Sequence, residues 1–341
     1  MVKHTTDPGE LRFLNRDDVN EALEPAACLE RVEQTFEWVG DGVVQQSNPF
    51  DLDVSTADDE YGLGMVQSFP SYVEPIDAAG HKWLGYIERN MERGLPTINA
   101  IDILSDAETS LPVAIMEGQS VTAMRTAGHA AVGAKYLARE DASTVTIVGC
   151  GDQGRTHLLM MAELFDLEEV RACDIDDEIR NAFIEEMSEH VDADVVGVPD
   201  AEEAVSGADI ICTVTSATRP IVEEAWIEPG THVAATAGFY DLEPTLSSEA
   251  DKWVVGYYDR DLNWIEGEQE DNWTAEGYKV DENDIHADLI EVMNDERPGR
   301  ESPNERTVMT HKGMPALDTA TMELVHERAV EEGLGTEISL F

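Results

Sequence analysis

The stretch Thr144–Asp174, TVTIVGCGDQGRTHLLMMAELFDLEEVRACD, constrains this chain more than any other. A β-branched apolar run, Thr144–Val148, leads into Gly149, Gly151 and Gly154, spaced G-x-G-x-x-G. Leu158, Leu159, Met161, Ala162, Leu164 and Phe165 then recur at helical steps, and a second strand, Val170–Cys173, ends on Asp174. Strand, glycine turn, helix and strand in this order describe a dinucleotide-binding unit. One glycine makes the tight turn, the next lets the backbone approach a pyrophosphate, and the third lets helix and strand pack closely. The pyrophosphate is expected on the helix N-terminus, where free N–H groups and the dipole favour negative charge. Asp174, twenty residues after Gly154, is placed for the adenosine ribose hydroxyls. A carboxylate there disfavours a 2′-phosphate, so the pattern favours NAD over NADP.

A length of 341 residues suits two domains. The formal charge is −50, from 72 acidic and 22 basic residues, and the acids are spread along the whole chain. Spread acidity on a folded pattern, with six Lys against sixteen Arg, reads as a surface adapted to a salt-filled cytoplasm. Nucleic acid is excluded as a partner by the shortage of basic surface. Cys28, Cys150, Cys173 and Cys212 form no CxxC pair and read as small buried residues in a reducing compartment. No apolar leader and no run of eighteen apolar residues occurs, so a soluble cytoplasmic protein with no membrane partner is expected.

Taken in order, Asn15–Asp17 caps a helical pattern that is broken near Pro25. Residues 41–73 are turn-rich, with short strands around Gly62–Ser68 and a solvated acidic loop at Asp51–Glu60. Lys82 to Ile87 reads as a strand. Lys82 is either a functional ammonium or an edge residue that snorkels. Strands follow at Ile98–Leu104 and Pro112–Met116, then a small-residue helix from Val121 to Leu137. Arg125 stands near that helix's N-terminus, where the dipole disfavours a cation. A carboxylate clamp or a structural ion pair would account for it.

Beyond the glycine motif, strands are expected at Asp194–Val198, Asp209–Thr215, His232–Thr236 and Trp253–Val255. Helices are expected at Ala201–Ser206, Asp281–Met293 and Ala316–Glu332, with a loop at Glu296–Glu305. Ligands in open α/β sheets bind at carboxyl strand ends, so Thr213, Thr215 and Ser216 are candidates to line the nicotinamide ribose. His129, His157, His232 and His311 have no ligand spacing and read as structural, with no metal site.

Several segments together resemble the ornithine cyclodeaminase/μ-crystallin family along most of the chain. They are Gly94-Leu95-Pro96-Thr97, Thr122–Ala127, the glycine motif, Ala208–Thr215, Pro229–His232 and Arg297–Arg300. The resemblance implies a homodimer that transfers hydride at an amino acid's α-carbon or at the matching imine. Ornithine cyclodeaminases, ketimine reductases and some alanine dehydrogenases share the scaffold, and μ-crystallins are also known as binding proteins. It implies an α/β fold: a Rossmann domain at 126–309 with a doubly wound parallel sheet, and a discontinuous α+β substrate and dimerisation domain at 1–125 and 310–341. Lys82 matches the active-site lysine and Arg125 the carboxylate-clamping arginine. Thr97, Asp152, Gln153, Asp174 and Thr215 match nucleotide-contacting positions. The cyclodeaminase aspartate, a proton acceptor, is replaced here by Phe239. Asp241, two residues on, is the candidate substitute, beside Lys82 and water. A further N-terminal arginine has no counterpart in Gln45–Phe50, and Lys312 falls where the family's C-terminal segment approaches substrate.

Overall fold

Alternation organises the first half of the chain. In strand β5 (Ala78–Ile87) the residues Ala78, Gly80, Lys82 and Leu84 point inward, and in β6 (Ile98–Asp106) Ala100, Asp102 and Leu104 do so. The computed structural model describes residues 9–54, 64–87, 90, 93–217, 219–236, 241–262 and 282–340. The chain divides into two compact units, Met1–Arg125 with Met314–Phe341, and Thr126–Gly313.

The first unit is one sheet with helices on its inward face. β4 (Gly64–Val73) pairs with β5, β5 with β6, and β6 with β7 (Pro112–Glu117), all antiparallel. β1 (Glu10–Leu14) and β16 (Thr336–Ser339) extend the sheet beyond β7; β2 (Val44–Gln46) and β3 (Phe50–Asp53) pair with β4. The region expected to be turn-rich with short strands thus contains a ten-residue strand, because tertiary pairing overrides weak local signals. Residues 55–63 of the expected acidic loop lie outside the described residues. Asn15 and Asp18 form a capping box on α1 (Arg16–Ala22), and Pro25 opens α2 (Pro25–Gly40) at a position where its missing N–H costs nothing. The C-terminal helix α9 (Pro315–Glu332) is buried along most of its length and lies on β4 and β5. Gly80 permits this approach, since a Cβ there would stand 2.1 Å from Thr319 Oγ1.

The second unit is an eight-stranded, wholly parallel sheet. Its order is β10 (Asp194–Gly197), β9 (Glu169–Cys173), β8 (Thr144–Val148), β11 (Ile210–Thr213), β12 (His232–Ala235), β15 (Thr307–Thr310), β13 (Lys252–Val255), β14 (Ala287–Asp288). The central strands are short and apolar because both faces are covered. The order reverses between β8 and β11, which makes their carboxyl ends the ligand crevice of a doubly wound fold. Helices α4 (Asp152–Ala162), α5 (Asp177–Met187) and α6 (Ala201–Val205) connect the early strands. Acidic caps at Asp176 and Asp200 satisfy first-turn N–H groups.

Three expectations are corrected. Thr307–Thr310 is a central strand inserted between β12 and β13, so a boundary at residue 310 would cut through it. The helix expected from Asp281 is only α8 (Leu289–Met293), started by an Asp288–Glu291 capping box; its upstream part is a 3-10 turn and β14. The helix α3 (Gly118–Leu137) begins at Gly118, not Val121.

Candidate active site

The glycine motif folds as a cradle. Gly149 has φ +102°, and a Cβ there would lie 2.8 Å from the Val214 carbonyl oxygen. Its N–H donates to Cys173 O at 2.8 Å. At Gly154 a Cβ would come within 2.2 Å of Gly149 O, so helix and loop touch as the third glycine requires. Around Gly151 the corresponding space is open, and this residue caps α4 without a side-chain hydrogen bond to the first-turn N–H groups. Those donors, with Asp152 and Gln153 in the same turn, suit a pyrophosphate. Asp174 sits at the end of β9. Its carboxylate accepts from Cys150 N–H at 2.8 Å and from Asp176 N–H at 2.9 Å, which ties it to the glycine loop. Arg180 folds back onto the Asp174 carbonyl and pairs with Asp177, so this cation is already engaged.

At the carboxyl end of β11, Thr213 is buried, Thr215 half-buried and Ser216 exposed. Asp241 has a different place from the one expected. It is fully buried, and its carboxylate accepts the Thr215 hydroxyl at 2.5 Å and the Thr215 N–H at 3.3 Å. Burial raises its pKa and the Thr215 bonds lower it. Asp241 therefore fastens the loop after β11 and is not presented as a free base. Phe239 lies outside the described residues. The histidines are internal. His157 bridges Gln153 O and the Thr236 hydroxyl, His232 bonds the Thr307 hydroxyl, and the His129 and His311 rings stack at 4.0 Å. Among the described residues no group of His, Cys, Asp and Glu is placed to hold a metal. All four cysteines are free and buried, with burial pushing the Cys28, Cys150 and Cys212 thiols up to about 12.

The second constellation lies in the first unit. Lys82 is not an edge residue: β5 is paired on both sides and Lys82 is 0% exposed. Its ammonium donates to Asp318 Oδ1 at 2.8 Å and Thr122 Oγ1 at 3.3 Å, and stands 4.3 Å from the centre of the Phe69 ring. Arg125 is the eighth residue of α3, beyond the turn where a helix dipole acts strongly, so the dipole argument does not apply. Its Nε donates to the same Asp318 oxygen at 2.7 Å. Two buried cations thus share one carboxylate. Arg125 Nη1 and Asp318 Oδ2, both buried, have no hydrogen-bond partner among the described residues. Burial and the nearby Arg125 lower the Lys82 pKa to about 8, against the opposing pull of Asp318 and Asp102. Thr97 ends the turn before β6, its carbonyl accepting Ile87 N–H at 2.9 Å.

Asp318 and Asp102 were not singled out from the sequence. Asp318 stands two residues into an expected helix, with nothing local to mark it. Asp102 carried a usable signal: it alternates with Ala100 and Leu104 on the inward face of a strand, where an acid is expensive.

The cradle lies at the topological switch point of a doubly wound sheet, the place where such folds bind dinucleotides. The family model described as "Ornithine cyclodeaminase/mu-crystallin family" matches residues 10–333, and the chain belongs to that family. It is 29% identical over 336 residues to an alanine dehydrogenase of Archaeoglobus fulgidus, covering 97% of this chain and 99% of that one. It is 33% identical over 273 residues to a Delta(1)-pyrroline-2-carboxylate reductase of Bacillus cereus, covering 79% and 83%. The solved structure of Thermococcus litoralis Delta(1)-pyrroline-2-carboxylate reductase with NADH and L-proline superposes with a TM-score of 0.87 at 30% identity, covering 96% of this chain and 100% of that one. The glycine cradle has the shape to hold a dinucleotide.

Proposed function

We propose that the chain reduces a small cyclic imino acid of the pyrroline-2-carboxylate type with NADH, and oxidises the matching amino acid in reverse. The supporting observation is the unbalanced buried cluster: Lys82 and Arg125 share Asp318, leaving Arg125 Nη1 as an unpaired donor and Asp318 Oδ2 as an unpaired acceptor. The carboxylate of the imino or amino acid accepts from Arg125 and offsets the extra positive charge, and the N–H of the amino acid donates to Asp318. Lys82, held by Thr122 and Asp318, steadies charge at the reacting centre. Gly149, Gly151, Asp152, Gln153, Gly154 and Asp174 hold the nucleotide, and Thr213, Thr215 and Ser216 complete its surroundings at the carboxyl end of β11. The bound nicotinamide supplies the hydride chemistry. The missing cyclodeaminase aspartate at Phe239, and Asp241's attachment to Thr215, disfavour ornithine as substrate.

The sheet face opposite α9 supports a homodimer. Phe50, Trp83 and Ile101, 65%, 47% and 54% exposed, lie in one row across β3, β5 and β6, with Ser68 of β4 between the first two. The dispersed acidity and buried free thiols support work in a reducing, salt-rich cytoplasm of a halophile. The test is NADH oxidation in molar KCl with Δ1-pyrroline-2-carboxylate, with pyruvate plus ammonia, and with ornithine plus NAD. Fast oxidation with the cyclic imine is expected. NADH binding without turnover on any substrate would replace this reading with that of a nucleotide-bound binding protein.

A further inference from the structure

Asp102 is the one member of the buried cluster with no task in the reading above. It is directly opposite Lys82 in the β5–β6 pair, on the same sheet face, and is 0% exposed. Among the described residues neither of its buried carboxyl oxygens has a hydrogen-bond partner. Its Oδ1 lies 2.6 Å from the point a Cβ on Gly118 would occupy, so a larger residue at the start of α3 would collide with it. The charged groups that act on it come from every neighbouring element: Lys82 on β5, Glu117 on β7, Arg125 on α3 and Asp318 on α9. A salt-adapted surface does not explain an acid at an inward strand position. A charged carboxylate with no donors costs several kcal/mol when buried, whereas a neutral acid costs far less. Burial and the Asp318 charge hold Asp102 well above the ordinary carboxylate range, while Lys82 and Arg125 pull the other way. The position thus combines an acid whose neutral form burial favours with two cations able to balance the anion once a proton leaves.

We propose that Asp102 is a further catalytic residue, the acid that delivers the proton to the substrate nitrogen during imine reduction. The proposal rests on the imine-reductase reading. In the reductive direction the substrate carbon gains a hydride from a reduced nicotinamide, which is oxidised by two electrons. The C=N π pair becomes the nitrogen lone pair and takes the proton as the Asp102 O–H bond breaks. An amine and an Asp102 carboxylate result, the latter facing Lys82 and Arg125. Water restores the proton after product leaves. Amino-acid oxidation runs the same transfers backwards, with the carboxylate as base. This assigns the acid–base work that Asp241 does not perform.

The test uses the NADH-loaded enzyme with Δ1-pyrroline-2-carboxylate. In Asp102→Asn, which keeps the shape but holds no transferable proton, kcat is expected to fall about 100-fold or more, the usual scale of general acid catalysis. KM for the imine and the NADH affinity, read by nicotinamide fluorescence, should stay within about threefold. In Asp102→Ala, added formate should restore part of kcat with saturation, which a merely structural role would not allow. Unchanged kcat in Asp102→Asn overturns the proposal, as does a loss in which KM rises and NADH affinity falls along with kcat, or a failure of formate to rescue. Should the variants not fold, infrared difference spectra of the wild type decide. A protonated-carboxyl band perturbed by L-proline binding supports Asp102, and none perturbed overturns it. A wild type inert on all imines and amino acids defeats the imine-reductase reading itself; an active wild type matched by Asp102→Asn defeats only this inference.

Discussion

The glycine cradle and the buried charge cluster are built on opposite plans. The cradle is local: strand, turn, helix and the acid at its end occupy Thr144–Asp174, and backbone shape does most of the work. The cluster is assembled from Lys82, Asp102, Arg125 and Asp318, on four elements spread over more than two hundred residues, and side-chain charge does the work. Local backbone sites fail by steric collision. Dispersed charge sites fail by leaving a partner uncompensated.

The largest expected effect separates these plans. Asp318→Ala leaves Lys82 and Arg125 buried without their shared counterion, so unfolding free energy should drop by about 3–5 kcal/mol and turnover should vanish. Urea unfolding and steady-state kinetics check both, and a loss under about 1 kcal/mol would mean the cluster is not closed as described. Gly154→Ala forces a Cβ to 2.2 Å from a backbone oxygen, and a destabilisation of about 1–3 kcal/mol with weakened NADH binding is expected. Here the imine site should be spared, which competition by a non-reducible carboxylate would show.

A third comparison is made by pH. The folded-state pKa of Lys82 is about 8, below the ordinary 10.5, so between those values the folded protein binds fewer protons than the unfolded one. Stability contributed by this group therefore rises with pH across that window, and the penalty for its buried charge is fully present below about 8. Lys82→Met should remove this rise from denaturation curves measured along the window. The smallest effect belongs to the surface. Arg16, half-exposed beside Glu117, should change stability by no more than about 1 kcal/mol when replaced by Ala. Molar KCl, with a screening length of about 3 Å, should raise the thermal midpoint of this strongly acidic chain yet leave the Asp318→Ala difference nearly unchanged.

These differences explain what was legible in the sequence. The nucleotide unit could be read because its periodicity, glycines and acid lie within one stretch. Thr307–Thr310 escaped because a four-residue strand next to a proline-containing loop has almost no local signature. Lys82 and Arg125 stood out as cations in apolar or uncharged surroundings. Asp318 could not, because its significance exists only once α9 folds onto β4 and β5. Asp241 could not be placed from the sequence, because proximity to a turn says nothing about which side its carboxylate faces; in the fold it accepts from Thr215.

The most direct measurement is calorimetric titration of L-proline into the NADH-loaded wild type, Arg125→Lys and Gly154→Ala, in molar KCl. Saturable binding to the wild type is expected. A loss of at least about 100-fold is expected in Arg125→Lys with NADH affinity intact, since lysine cannot offer the second nitrogen left free beside Asp318. Equal L-proline affinity in wild type and Arg125→Lys would contradict it, and the carboxylate site would then lie elsewhere.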